Sequence, residues 1–174
     1  MSSQHTGDDS VVDRLKGGIV SSAVQFLSEA IRLARENVRT GGKPFGAVIV
    51  KDGEVVATGV NEELATNDPT AHAELLAIRA ASQTLGTSHL AGCVMYATTQ
   101  PCPMCRTAMY WAGLHEGAYA YSNEEGEPYG FSSPAVSAEL AELLADPSSG
   151  LRHLRVRPGG EDDLYELWRA ARSG

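Results

Sequence analysis

The chain has 174 residues, with 14 Lys and Arg against 22 Asp and Glu, for a formal charge of −8. That length suits one domain able to bury its own core, and 43% hydrophobic residues exclude a disordered or collagen-like chain. Three cysteines cannot pair completely, no apolar run nears the roughly 20 residues of a membrane span, and the acidic balance disfavours a phosphate-binding face. The N-terminus, MSSQHTGDDS, lacks the basic start and apolar stretch of a secretory leader, so a reducing cytoplasm is the expected compartment. Residues 1–18 are polar and aperiodic and read as a mobile tail, leaving 19–174 as a single domain.

From Ser21 or Ser22, either of which can cap, Ala23, Phe26, Leu27, Ala30, Ile31, Ala34 and Val38 recur at helical spacing, and Gly41-Gly42 ends the run. Residues 45–50 and 55–60 flank Asp52-Gly53 and predict a β-hairpin. A helix is expected over 71–85, with Thr70 as its cap and Gly86 as its stop. Residues 93–98 read as a buried strand, and Gln100-Pro101-Cys102-Pro103 as a turn into a third helix ending near Gly113. A strand over 117–122, a helix over 133–145, a strand over 151–156 and a helix over 162–172 complete the pattern. Helices therefore cover both faces of a five-stranded sheet in an α/β fold.

The residues that carry chemistry are His72-Ala73-Glu74 and Pro101-Cys102-Pro103-Met104-Cys105. Two sulfurs three residues apart at a helix start can converge on one point, and His72, at another predicted helix start, adds a nitrogen. Cys/Cys/His gives a tetrahedral zinc three protein ligands and leaves the fourth position for water. Helix N-termini also favour the thiolate form. Glu74 is not needed as a ligand and can move a proton between that water and a substrate. A lone C-x-x-C also reads as a redox motif or half of a structural zinc site, but no second C-x-x-C completes a Cys₄ set. The combination H-x-E with P-C-x-x-C is the arrangement of zinc nucleobase deaminases.

Taken alone, Asn61 reads as a turn residue, Phe45 and Trp111 as core, and Glu124, Glu125 and Glu127 as a solvated acidic loop. Cys93, in an apolar strand, reads as an inert buried thiol.

Residues 44–53, 67–74 (Asn-Asp-Pro-Thr-Ala-His-Ala-Glu), 101–105 and Tyr110-Trp111-Ala112 together resemble the cytidine-deaminase-like superfamily, and within it the small bacterial guanine deaminases. The resemblance covers roughly Phe26 to Ser122 and, more loosely, runs to Trp168. It implies a three-layer α/β/α fold with a mixed sheet, one Zn2+ per subunit on His72, Cys102 and Cys105, and a homodimer whose C-terminal segment can cross to the partner. It implies hydrolytic deamination of a free base, guanine to xanthine and ammonia, with water as co-substrate and Glu74 as the proton carrier. By the same resemblance Asn61 bonds the base, Phe45 and Trp111 pack on its ring, the backbone near Ala73 holds a polar edge, and Glu125 shuttles a proton. Glu124 and Glu127 lie beside that last position. Gln100 stands where the family has an acidic residue, and Arg106-Thr107-Ala108 where it has a small Gly-Ala pair. The same chemistry on a pterin, an aminotriazine, cytosine or a nucleoside is the nearest alternative. Editing of tRNA adenosine and a non-enzymatic zinc module come after it.

Overall fold

The computed structural model describes residues 19–145 and 164–172. Helix α1 (Ile19–Arg39) precedes a hairpin of β1 (Gly46–Lys51) and β2 (Glu54–Val60). A four-residue helix α2 (Glu63–Thr66) leads to α3 (Ala73–Leu85), then β3 (Cys93–Thr99), α4 (Pro103–Trp111) and β4 (Glu116–Tyr121). After β4 come α5 (Asn123–Gly126), a 3₁₀ turn (Glu127–Tyr129) and α6 (Pro134–Ala145), and later α7 (Leu164–Ala171). Packing divides the chain at Ser137: residues up to it form one compact unit and those from Ala138 onward a second. Among the described residues no helix is long and apolar enough to cross a membrane.

The sheet runs β2-β1-β3-β4, with β1 antiparallel to both neighbours and β3 parallel to β4. It is an α/β fold, as the sequence pattern predicts, and its sheet is mixed, as the resemblance implies, with four strands among the described residues instead of five. The expected fifth strand, 151–156, and the expected N-terminal tail, 1–18, lie outside the described residues. At the hairpin, Asp52 and Gly53 both take positive φ, 52° and 82°, the twist that a two-residue turn needs to join right-twisted strands.

Strand alternation sorts the core into two layers. Ala47 and Ile49 of β1 and Met95 of β3 face one side, where they pack with Ala73, Ala77 and Ala81 of α3. Val48 and Val50 face the other, with Tyr96, Phe26 and Ala30, so α1 covers that side. The three α3 alanines are fully buried and spaced four apart, which leaves the helix with almost no side chain between its backbone and the sheet. Gly59 of β2 completes that approach: a Cβ there would run into the Ala73 carbonyl and stand 2.7 Å from the Ala77 nitrogen.

Two local expectations are corrected. α1 is already helical at Ile19, so Ser21 and Ser22 lie inside it and neither caps it. Thr70 does not cap α3; its hydroxyl donates to Asp68 Oδ1 at 2.7 Å and its amide donates to the same oxygen at 2.8 Å. The aspartate forms a turn on its own backbone and takes the hydroxyl before the helix can. His72 becomes the N-cap instead, extended at φ −76° and ψ 150°, with no capping bond from its side chain.

Gly59→Ala is expected to push the start of α3 off β2 and to cost about 1–3 kcal/mol, the usual range for overpacking. Urea unfolding measures this loss; a midpoint matching the unmutated protein would refute the close approach.

Candidate active site and metal centre

Sheet polarity gathers the site at one end. Because β1 is antiparallel to β2 and β3, its first residue lies opposite Val60, and the C-terminal ends of β2 and β3 flank its start. Phe45, Asn61 and Thr99 therefore leave the sheet side by side, and parallel β4 brings the segment after Tyr121 to the same end. A cavity of about 200 Å³ lies there, lined by Phe45, Asn61, His72, Glu74, Thr99, Gln100 and Cys102, with Lys43, Glu63 and residues Gly130, Phe131, Ser132 and Ser133.

His72 and Cys102 are both N-caps, of α3 and α4, with extended backbones and side chains that cap nothing. Pro103 at the first turn of α4 has the φ that the helix start requires and no amide to leave unpaired. The two caps project towards each other, and Cys105, one turn into α4, joins them. His72 Nδ1 lies 3.7 Å from Cys102 Sγ and 3.6 Å from Cys105 Sγ, and the sulfurs are 3.6 Å apart. A tetrahedral zinc with ordinary bond lengths needs edges of about 3.8 Å between sulfurs and about 3.6 Å from sulfur to nitrogen. The observed triangle fits that face of a tetrahedron, and it is the group among the described residues able to hold a metal ion. Two thiolates with one imidazole are also the soft and borderline donors that zinc takes.

The electrostatics favour the metal-binding form of one of the three ligands, Cys102. The thiol of Cys105 bonds to Cys102 and, with His72, holds the Cys102 thiol down at about 4, which favours its thiolate form. That same bond, with burial, pushes Cys105 up. The Cys102 sulfur beside it raises His72. Glu74, only 6% exposed, is raised chiefly by burial, so its carboxyl holds a proton more tightly than a free glutamate and can return it.

Asn61 is 2% exposed and nearly saturated. Its amide N–H donates to the Phe45 carbonyl at 3.1 Å, and its carbonyl accepts from Asn37 Nδ2 at 2.8 Å. Its side-chain Oδ1 accepts from the Glu63 amide at 3.3 Å. Nδ2 alone is buried without a partner, in a residue that lines the cavity. A buried donor left unpaired costs about 1–3 kcal/mol, which a ligand acceptor would recover.

Of the residues anticipated from sequence, His72, Cys102, Glu74, Asn61 and Phe45 line the cavity, and Cys105 is buried behind it. Ala73 is buried as the first residue of α3 and is absent from the lining. Trp111 is 81% exposed at the end of α4 and does not line the cavity. The aromatic neighbour of Phe45 is instead Phe131, edge-to-face at 5.0 Å. Glu125 does not line the cavity either. Its carboxylate accepts the Ser122 amide at 2.8 Å while Ser122 Oγ accepts the Glu125 amide at 3.4 Å, a capping box on α5. The signal was present as Ser122-x-x-Glu125. Lys43, Glu63, Gly130 and Phe131 carried no motif that would have found them.

Three metal-binding side chains converging on one point, beside a buried carboxylate, are the donor set that a metal-dependent hydrolase would use. Residues 20–121 match the cytidine and deoxycytidylate deaminase zinc-binding region, and the chain belongs to that family. A guanine deaminase of Bacillus subtilis (strain 168) is 46% identical over 116 residues, 66% of this chain and 74% of that protein. The X-ray structure of a guanine deaminase from Bacillus subtilis superposes with a TM-score of 0.66 at 38% identity, covering 86% of this chain and 93% of that one. A tRNA-specific adenosine deaminase of Aquifex aeolicus (strain VF5) is 45% identical over 84 residues, 48% of this chain and 56% of that protein.

The purified chain is expected to carry one equivalent of metal. Cys105→Ala should weaken metal retention by more than the about 10–100-fold typical of losing an outer partner, as measured by metal analysis after dialysis against a chelator. Full retention would exclude Cys105 as a ligand.

Proposed function

We propose that the chain is a zinc-dependent hydrolytic deaminase of a free purine base, converting guanine and water to xanthine and ammonia. The observation that carries this is the convergence of His72, Cys102 and Cys105 beside a cavity that His72, Cys102 and buried Glu74 line. The choice of guanine is supported by the likeness to the guanine deaminases. Cavity size supports a free base, since about 200 Å³ lies below the about 300–1,000 Å³ of drug-sized sites.

His72, Cys102 and Cys105 would hold zinc, which would supply the Lewis acidity that lowers the pKa of a bound water towards about 7. Glu74 takes that water's proton and delivers it to the ring nitrogen beside the amino-bearing carbon, C2 in guanine. As the water oxygen bonds to C2, Glu74 would carry that oxygen's remaining proton to the amino group, so that the C2–N bond breaks, C2=O forms and ammonia departs. Asn61 Nδ2 donates to an acceptor on the ring, while Phe45, braced edge-on by Phe131, packs against the ring and keeps it in register with Glu74. Ala73 does not line the cavity, so its backbone in the first turn of α3, where amides have no intrahelical partner, would take a polar edge only of a base that reaches past the lining.

The proposal extends to a cytoplasmic homodimer in which the C-terminal segment crosses to the partner. Tyr110 and Trp111, 72% and 81% exposed at the end of α4, are the large aromatic surface that a second copy would cover. Trp111 would then act across that interface, and Glu125 through the loop it caps. The tRNA-specific relative favours a second reading, editing of adenosine in RNA, which the net charge of −8 opposes.

Ammonia release across guanine, guanosine, cytosine, a pterin, an aminotriazine and tRNA tests the substrate; turnover of guanosine or tRNA with none of guanine would sink the assignment. Glu74→Gln should keep its zinc and lose about 10²–10⁴-fold in kcat. Asn61→Ala should lower kcat/KM about 5–150-fold, the equivalent of the about 1–3 kcal/mol for one buried bond. Trp111→Glu should shift the mass seen by light scattering towards a single chain; an unchanged dimer would place the interface elsewhere.

A further inference from the structure

The cavity holds a second carboxylate that no sequence motif marks. Glu63 opens α2, and its amide is fixed by Asn61 Oδ1. Its Oε2 accepts from Lys43 Nζ at 2.7 Å and lies 3.9 Å from His72 Nε2. Lys43 is itself anchored, since its carbonyl accepts Asn37 Nδ2 at 2.8 Å. The imidazole thus lies between two poles, with Nδ1 towards the two sulfurs and Nε2 towards the carboxylate.

A neutral imidazole has one lone pair and one N–H, and which nitrogen carries the proton is set by what the other faces. For Nδ1 to offer its lone pair to a metal, the proton must sit on Nε2, and an acceptor there favours that tautomer. Metal-ligating histidines are commonly held in this way, which fixes the ring and strengthens the ligand. An ordinary surface Lys-Glu pair contributes little and requires no histidine. Here both partners are under a third exposed and both line the cavity. The separation of 3.9 Å is about 1 Å beyond a hydrogen bond, within the reach of a side-chain rotation.

We infer that Glu63 is a positioning residue for the metal centre: it accepts from His72 Nε2–H, fixes the tautomer, and keeps Nδ1 turned towards Cys102 and Cys105, with Lys43 setting the place of the carboxylate. The inference rests on the metal-centre part of the proposed function and is independent of which base is deaminated.

Glu63→Gln keeps the size of the side chain and removes its charge. Competition with a chromogenic zinc chelator should show about 10–100-fold weaker zinc binding for this variant. Glu62→Gln, the exposed neighbour that does not line the cavity, should bind as the unmutated chain does. Thermal unfolding of the metal-free proteins should be alike, which separates ligand positioning from a general loss of stability. In the zinc-loaded unmutated protein the His72 Nε2–H proton should resonate downfield, and Glu63→Gln should move it upfield. Unchanged zinc affinity would overturn the inference, and so would weaker binding with the Nε2–H resonance unmoved. Loss of affinity with guanine turnover absent in every protein would count against the substrate and leave the role of Glu63 standing.

Discussion

Two helices begin at the same end of one sheet, and neither uses its N-cap side chain on its own amides. His72 and Cys102 both have the extended backbone of a cap, yet their imidazole and thiol point to a common place. A helix start ordinarily recruits Ser, Thr, Asp or Asn to satisfy its free N–H groups. Replacing them with metal-binding types gives up that local stabilisation and leaves the positive end of each helix beside groups that must be thiolate or hold a lone pair. The local conflict marks the functional place, and the sheet register is what makes the two starts meet.

That meeting depends on contacts well away from the sulfurs. The alanine face of α3 and the bare backbone of Gly59 let the helix lie against β2, which sets the height of His72 and Glu74 over the sheet. On the opposite face, Asn37 near the end of α1 reaches two carbonyls, those of Lys43 and Asn61, at 2.8 Å each. A single amide therefore ties the covering helix to both loops that supply the near wall of the cavity. Glu74 sits inside this frame with little access to water, and its raised proton affinity follows from burial.

The parts of this arrangement that were legible in the sequence are those in which chemistry restricts residue type. Few side chains can bind zinc, so His72, Cys102 and Cys105 stand out by identity and spacing, and Glu74 by its offset from His72. Elements with strong periodicity, such as α1 and the hairpin at Asp52-Gly53, were equally readable. The cavity wall was not, because Lys43, Glu63 and Phe131 are common residue types that meet through tertiary structure alone. Glu125 misled for a related reason: in a run of acidic residues, its role as a helix cap is visible only through Ser122 three positions earlier. Thr70 was outcompeted by Asp68 for its own hydroxyl, a contest between two local bonds that sequence preference does not decide. Trp111, readable as core or as a ring contact, is neither within this chain.

The saturation of Asn61 has a consequence for recognition. A side-chain amide can normally turn over and exchange its acceptor for its donor at little cost, so it tolerates ligands of either polarity. Here Oδ1 is held by the Glu63 amide, and the backbone on both sides is bonded to Phe45 and Asn37, so turning over would set the NH₂ group against a donor. The amide is locked in one sense, and a ring entering with a donor at that edge would meet donor with donor. Under the proposed function, this locked amide would distinguish the two ways round that a flat heterocycle can enter, before any proton has moved.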